Sequence, residues 1–191
     1  GLLIEFLNRN DLRKNTVVIF TTDNGTPVRS LSHPDENGKY VRIPVYSQLH
    51  GKRIQGGKGR LDDTGTRVPL IVSWPETIPS SQTSQALVDM SDFYATCVDL
   101  GRGRIPKGLD GQSFAPLLRG AGSPRTWAFA EHGGKSWVRD QQYKLLDNGT
   151  FLEVLADPGQ QRKITGSLLS EQARAALIEL QSAHPRLSGN V

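Results

Sequence analysis

The stretch TVVIFTTDNG, Thr16 to Gly25, constrains the fold more than any other part of the chain. Val17, Val18, Ile19 and Phe20 form a continuous apolar run, rich in the β-branched residues that favour strands. A strand apolar at successive positions suits burial on both faces, as in a parallel sheet covered by helices. The run then ends in a carboxylate, an amide and a glycine, Asp23-Asn24-Gly25. An Asx turn accounts for that ending when the stretch is taken alone. In open α/β sheets, however, ligands bind beyond the carboxyl ends of strands, and Asp23 and Asn24 stand at such an end. Their side-chain oxygens suit a hard divalent cation, calcium before magnesium. The second Asp-Asn-Gly, at 147–150, lacks the buried strand before it and the long segment after it, and reads as a hairpin turn.

The neighbouring segments extend this pattern. Leu3, Phe6 and Leu7 follow helical spacing and predict an amphipathic helix over about 2–12, closed by Asn15. It starts at Gly1 without a cap, so it reads as the tail of a helix in a longer protein. Residues 26–67 are dominated by Pro, Gly, Ser, His and Arg and read as a long loop, with YVRIPVY as a short edge strand interrupted by Pro44. Val68 to Trp74 is a second candidate for a buried strand. Ser91 is placed to cap a helix running to about Leu100, with Phe93, Cys97 and Leu100 on its core face and Cys97 buried. SFAPLLRG reads as a short helix ended by Gly120.

Beyond residue 122 the period changes. TWAFAEH, KSWVRD and YKLLD are short strand candidates, and DNGT turns the chain into FLEVL. DPGQQ closes that hairpin. A last helix is expected from about Ser170 to His184, with Ala173, Leu177 and Leu180 on one face. The expected architecture is an α/β region over 1–122 followed by a small α+β subdomain over 123–191, an antiparallel sheet with a C-terminal helix.

Composition narrows the function. No apolar run among the 191 residues approaches the roughly 20 needed for a spanning helix. The net charge of +4 comes from 23 basic and 19 acidic residues without a basic block, which argues against a nucleic-acid tract. The single cysteine, Cys97, excludes an intrachain disulfide and a Cys-rich zinc site. The chemistry-bearing candidates are therefore polar and charged. Lys58 sits among Gly56, Gly57 and Gly59, where backbone can approach a ligand and a compact ammonium suits a tetrahedral oxyanion. The spacing is not that of a P-loop, and a solvated flexible loop is the plain alternative. His50 is placed to donate to an anion or to shuttle a proton. His132, after Glu131, reads as a surface or turn histidine.

Several stretches, in order, resemble the type I sulfatases of the alkaline-phosphatase superfamily. NTVVIFTTDNG is similar to that family's N-T-x-V-x-F-T-S-D-N-G strand. GGKGRLDDTGTRVPLIVSWPETIP is similar to G-G-K-G-x-x-x-E-G-G-x-R-V-P-L-I-V-x-W-P-G-x-I-P. LDGQSFAPLLRG matches L-D-G-x-S-x-x-P-L-L-x-G, and WVRDQQYKLLD with its following ADPGQQ resembles V-R-x-x-x-Y-K-L and D-P-x-E. Together these run from about Asn15 to Gln161.

The resemblance implies an alkaline-phosphatase-like sheet sandwiched by helices, of which this chain is the end portion. It implies that Asp23 and Asn24 are two ligands of a calcium site and that Lys58 binds the sulfate group. The family's E-G-G reads Asp63-Thr64-Gly65 here, and its D-P-x-E reads Asp157-Pro158-Gly159-Gln160. The nucleophile is a departure: the family's formylglycine arises from Cys or Ser in C/S-x-P-x-R, Cys97 is followed by VDLG, and Ser123-Pro124-Arg125 has the wrong spacing. The family's N-terminal pair of metal aspartates is also not found in these residues.

The expectation is thus a sulfuric ester hydrolase seen through its C-terminal part, with calcium as cofactor and formylglycine in the part that precedes it. The implied partners are a sulfated small molecule or glycan, and the missing region or a second copy covering exposed apolar surface, with no nucleic acid or membrane. The implied location is periplasmic or secreted. Two alternatives remain at this point: a phosphoester or phosphonate hydrolase of the same superfamily, and a non-catalytic binding module that keeps the fold.

Overall fold

A computed structural model describes residues 1–49, 51–154, 162–166, 169–185 and 187. The chain divides into two compact units. One comprises Gly1–Thr21 with Pro69–Ala128, the other Thr22–Val68 with Phe129–Val191.

In the first unit, α1 (Leu2–Arg9) leads through a short 3-10 turn (Arg13–Asn15) into β1 (Val18–Thr21). The helix stops short of the expected residue 12 because Asp11 adopts a left-handed φ of 55°. β1 pairs with β6 (Leu70–Ser73), matching Phe20 to Ile71 and Ile19 to Val72. This pairing is antiparallel, which corrects the parallel sheet read from the apolar run. It also lacks two-sided burial: Phe20 is 57% and Ile71 60% exposed. An apolar run reports that a strand is hydrophobic, not which way its partner runs. The long connection between the strands permits either direction, and the folded chain takes the antiparallel one.

The rest of this unit is α3 (Asp92–Leu100) and α4 (Ala115–Leu118). Gly120 follows α4 with φ +85°, as expected for a helix stop. The inward face of α3 is Asp92, Ala95 and Thr96 rather than the expected Phe93, Cys97 and Leu100, and Cys97 is exposed. Ser91 makes no side-chain cap. The stripe is rotated because its polar members are satisfied inside. The Asp92 carboxylate accepts from Asp89 N at 2.8 Å and Gln112 N at 2.7 Å. Arg125 closes on the same carboxylate through Nε at 2.8 Å and Nη2 at 2.5 Å. Its remaining donors reach the carbonyls of Asp110 and Trp127. Thr96 Oγ1 accepts from Phe114 N at 3.0 Å, fixing the approach to α4, and Phe93 packs edge-on against Phe114.

In the second unit, the segment read as a long loop folds into two exposed hairpins. β2 (Arg29–Pro34) pairs with β3 (Tyr40–Pro44), and β4 (Tyr46–Leu49) with β5 (Lys52–Gln55). Pro44 ends β3, so the single expected edge strand is two strands joined at Val45. One turn of helix, α2 (Asp63–Thr66), follows.

The same unit holds a five-stranded sheet, β7 (Ala128–His132), β8 (Lys135–Arg139), β9 (Tyr143–Leu146), β10 (Phe151–Glu153) and β11 (Arg162–Lys163), in the order β11-β10-β9-β8-β7. The 147–150 turn is the hairpin expected: Gly149 has φ +79° and Leu146 N donates to Thr150 O at 2.9 Å. Packed on β8 and β9 is α5 (Glu171–Ala183), capped by Ser170 Oγ accepting from Ala173 N. Ala173 and Leu180 are buried with Val138, Leu145, Phe151 and Val154. The DPGQQ stretch, including Asp157-Pro158-Gly159-Gln160, lies outside the described residues.

Removing Asp92 alone strands a buried guanidinium. Asp92→Ala is expected to destabilise by about 3–5 kcal/mol, read as a lower denaturant midpoint. Asp92→Leu/Arg125→Met should cost clearly less than the sum of its single changes. Additive losses would mean that the pair is not the coupled element described.

Candidate functional site

The turn of α2 is the platform on which the candidate residues rest. Asp62 caps it, accepting from Thr64 N at 3.0 Å and from the Thr64 hydroxyl, while its carbonyl accepts from Gly65 N and Thr66 N. Two glycines let backbone close onto this turn. A β-carbon on Gly25 would lie 2.0 Å from Thr64 O, and one on Gly65 would lie 2.1 Å from Arg60 O. With those positions bare, Gly25 N donates to Gly65 O at 2.8 Å and Arg60 N to Gly57 O at 2.8 Å. The glycine after Asp23-Asn24 therefore has a packing role as well as a turn role.

The same arrangement brings Lys58 alongside. Lys58 N donates to Thr26 O at 3.0 Å. Asn24 is two residues earlier, and a chain spans at most about 3.6 Å per residue. The Lys58 and Asn24 backbones therefore lie within about 12 Å of each other. Lys58 and Asp23 are exposed, and Asn24 is half-buried. Asn24 Nδ2 donates to Asp23 Oδ1, and Thr22 Oγ1 donates to Asn24 O at 3.2 Å. Arg60, two residues past Lys58, is held by Asp62 at 2.6 Å. His50, the fourth candidate, lies outside the described residues.

His132 did not stand out in the sequence. Its Nε2 lies 3.6 Å from where a β-carbon on Gly59 would be, one residue from Lys58. The signal was weak: a histidine before Gly133-Gly134 looks like any turn histidine.

Among the described residues no group of three or more His, Cys, Asp or Glu side chains is arranged to hold a metal ion. Asp23 and Asn24 supply one carboxylate and one amide, which is the right donor type for a hard cation but fewer than its usual six to eight oxygens. They fit as part of a ligand set. Rotating the Asn24 amide by half a turn would place its oxygen where the nitrogen now meets Asp23.

Behind the platform stands a buried charge cluster that sequence reasoning passed over. Asp63 is 5% exposed. Its Oδ1 is 3.4 Å from Lys144 Nζ and 3.5 Å from Arg139 Nη1, and its Oδ2 is 3.8 Å from Arg67 Nη1. Oδ2 has no hydrogen-bond partner among the described residues. Lys144 is fully buried on β9, with Nζ 4.7 Å from the centre of the Trp137 ring. Burial pushes the Lys144 ammonium below its ordinary value of 10.5, against the pull of Asp63. Burial also lowers Arg139. Alternation puts Lys144 on the face of β9 opposite Tyr143 and Leu145, as in a half-exposed strand, but all three are buried, so both faces are covered. No local signal in the sequence marks that second covered face.

Gly65→Ala forces a β-carbon into the Arg60 carbonyl and should cost about 1–3 kcal/mol, seen as a lower melting temperature. Because the folded Lys144 binds its proton less tightly than the unfolded one, this residue's contribution to stability rises with pH between its lowered folded value and the ordinary 10.5. Lys144→Met should flatten that alkaline rise in a pH–stability profile, and an unchanged slope would contradict the assignment.

A family model described as Sulfatase matches residues 1–103, and one described as N-sulphoglucosamine sulphohydrolase, C-terminal, matches residues 57–150. An ulvan-active sulfatase of Formosa agariphila is 29% identical over 122 residues, covering 58% of this chain and 24% of that protein. An N-acetylglucosamine-6-O-sulfatase of Bacteroides thetaiotaomicron is 24% identical over 199 residues, covering 94% of this chain and 32% of that protein. A solved structure of a protein in complex with its substrate D-glucosamine-2-N,6-O-disulfate superposes with a TM-score of 0.67 at 22% identity, covering 100% of this chain and 38% of that one. The chain thus spans about a quarter to a third of the length of the curated relatives described here.

Proposed function

The chain belongs to the sulfatase family, and from that membership we propose that its protein hydrolyses sulfate monoesters, with Asp23, Asn24 and Lys58 forming one side of the reaction centre. The observation that carries this reading is the Lys58 N to Thr26 O bond at 3.0 Å, which ties the one lysine of the glycine-rich turn to the segment directly after the acid–amide pair.

The chemistry follows from charge. A sulfate monoester is an anion, and its transition state spreads negative charge over sulfate oxygens and the leaving oxygen. An ammonium held beside those oxygens offsets that charge without reorganising when reaction occurs. Lys58 has this role, carried on a turn fixed by Gly57, Arg60 and Gly65. The oxygens of Asp23 and Asn24 complete part of a calcium site. A calcium ion held there would supply Lewis-acid polarisation of the sulfate oxygens. His50 keeps its proposed role as a donor to the anion. The nucleophile is assigned to formylglycine outside residues 1–191, because none of these residues stands in a C/S-x-P-x-R context.

The substrate class proposed is a sulfated amino-sugar saccharide. Support comes from the D-glucosamine-2-N,6-O-disulfate bound by the solved relative and from the 6-O-sulfatase whose match covers nearly all of this chain. A periplasmic or secreted location is proposed with it, as the family resemblance implies.

The whole protein should cleave an aryl sulfate and a glucosamine 6-sulfate, lose activity with a chelator and regain it with calcium. Lys58→Ala should lower kcat/KM about 10²- to 10³-fold. Faster turnover of an aryl phosphate than of the sulfate would move the enzyme to the phosphoester branch. Unchanged turnover in the Lys58 variant would remove that residue from the centre.

A further inference from the structure

We infer that Lys144 is a positioning residue for the sulfate-binding turn, acting through Asp63 on Lys58. The inference rests on the function proposed above for Lys58.

The geometry runs in three links. Lys144 and Arg139 reach from β9 and β8 to a single oxygen of Asp63, at 3.4 and 3.5 Å, across 81 and 76 positions of sequence. Asp63 opens the one-turn helix whose Gly65 carbonyl accepts Gly25 N and whose Thr64 carbonyl sits where a side chain on Gly25 would be. The same turn abuts Arg60 and Gly57, which flank Lys58. Moving Asp63 moves the surface on which both halves of the candidate centre lie.

Stability alone explains the pair poorly. A fully buried ammonium carries a desolvation cost that one carboxylate at 3.4 Å offsets only partly, and apolar replacements of buried ion pairs are often neutral or stabilising. The charges make the contact directional. A methionine in that space would fill it without specifying where the Asp63 carboxylate points. Trp137 narrows the choice further, because its ring lies under the ammonium at 4.7 Å.

Lys144→Met is the informative variant, since Asp63 keeps Arg139 and Arg67 and the fold keeps a paired carboxylate. In the whole protein it should lower kcat about 10- to 100-fold, the scale expected when a catalytic charge is displaced by about 1 Å, with KM changed less than threefold and the melting temperature nearly unchanged. Lys144→Arg should recover most of the rate. In a Lys58→Ala background, Lys144→Met should have almost no further effect on kcat, because its route runs through the missing ammonium. A kcat within twofold of wild type, or losses that add independently in the double variant, would overturn the inference.

Amide exchange gives a readout independent of turnover. The peptide covering 56–66 should exchange at least tenfold faster in Lys144→Met while that covering β10 is unchanged, and equal protection of 56–66 would also overturn it. If the wild-type protein cleaves no sulfate ester, the proposed function fails and this exchange experiment still decides whether the clamp exists. Should Lys144→Met not fold, Arg139→Gln takes its place, with the same pattern of kcat loss, non-additivity and exchange expected at smaller amplitude.

Discussion

A carboxylate buried among three cations is an unusual place for a chain to put one charge. Asp63 is nevertheless the fixed point to which much of the second unit is referred. Lys144, Arg139 and Arg67 all address it. In low dielectric such attractions are strong and weakly screened, but the cost of drying the charges is of similar size. Net stabilisation is therefore small, while the directional constraint is large. That constraint lands on a four-residue helix, an element too short to hold its own geometry through backbone bonds alone. The Asp62 cap and the close glycine contacts supply the remainder. Lys58 inherits its position from this assembly.

The first unit handles a buried charge differently. Asp92 and Arg125 meet in a two-pronged pair whose remaining donors and acceptors are taken up by backbone groups of residues 89, 110, 112 and 127. A fully satisfied network of this kind fixes one packing arrangement of α3 against the loops around it. It also explains why α3 turns polar residues inward and leaves Cys97 and Tyr94 facing out. The two clusters share a logic. Each spends a buried ion pair on orientation in a region where loops, rather than long helices or broad sheets, set the geometry.

Family membership and local geometry bear on different questions. The match over residues 1–103 establishes kinship. It does not say how the lysine turn is held. The hydrogen bond from Lys58 to Thr26 and the contacts of Gly25 and Gly65 describe that directly. These contacts fix the backbone that carries Lys58, while its side chain is exposed.

The sequence by itself determined where turns, caps and strands fall once local chemistry dominates. Gly149 and Gly120 marked a hairpin and a helix end, Ser170 marked the start of the last helix, and short apolar runs bounded by turn residues marked the C-terminal strands. It also singled out Asp23, Asn24 and Lys58, because charged and amide groups beside glycines stand out in any composition. Only the tertiary structure decided the direction of β1 against β6, the folding of 26–67 into hairpins, the inward turn of Asp92, and the burial of Lys144 beneath Trp137. Each of these depends on partners far away in the chain. Periodicity records how apolar a segment is, whereas strand direction and the satisfaction of a buried charge are set by which distant groups the folded chain brings to it.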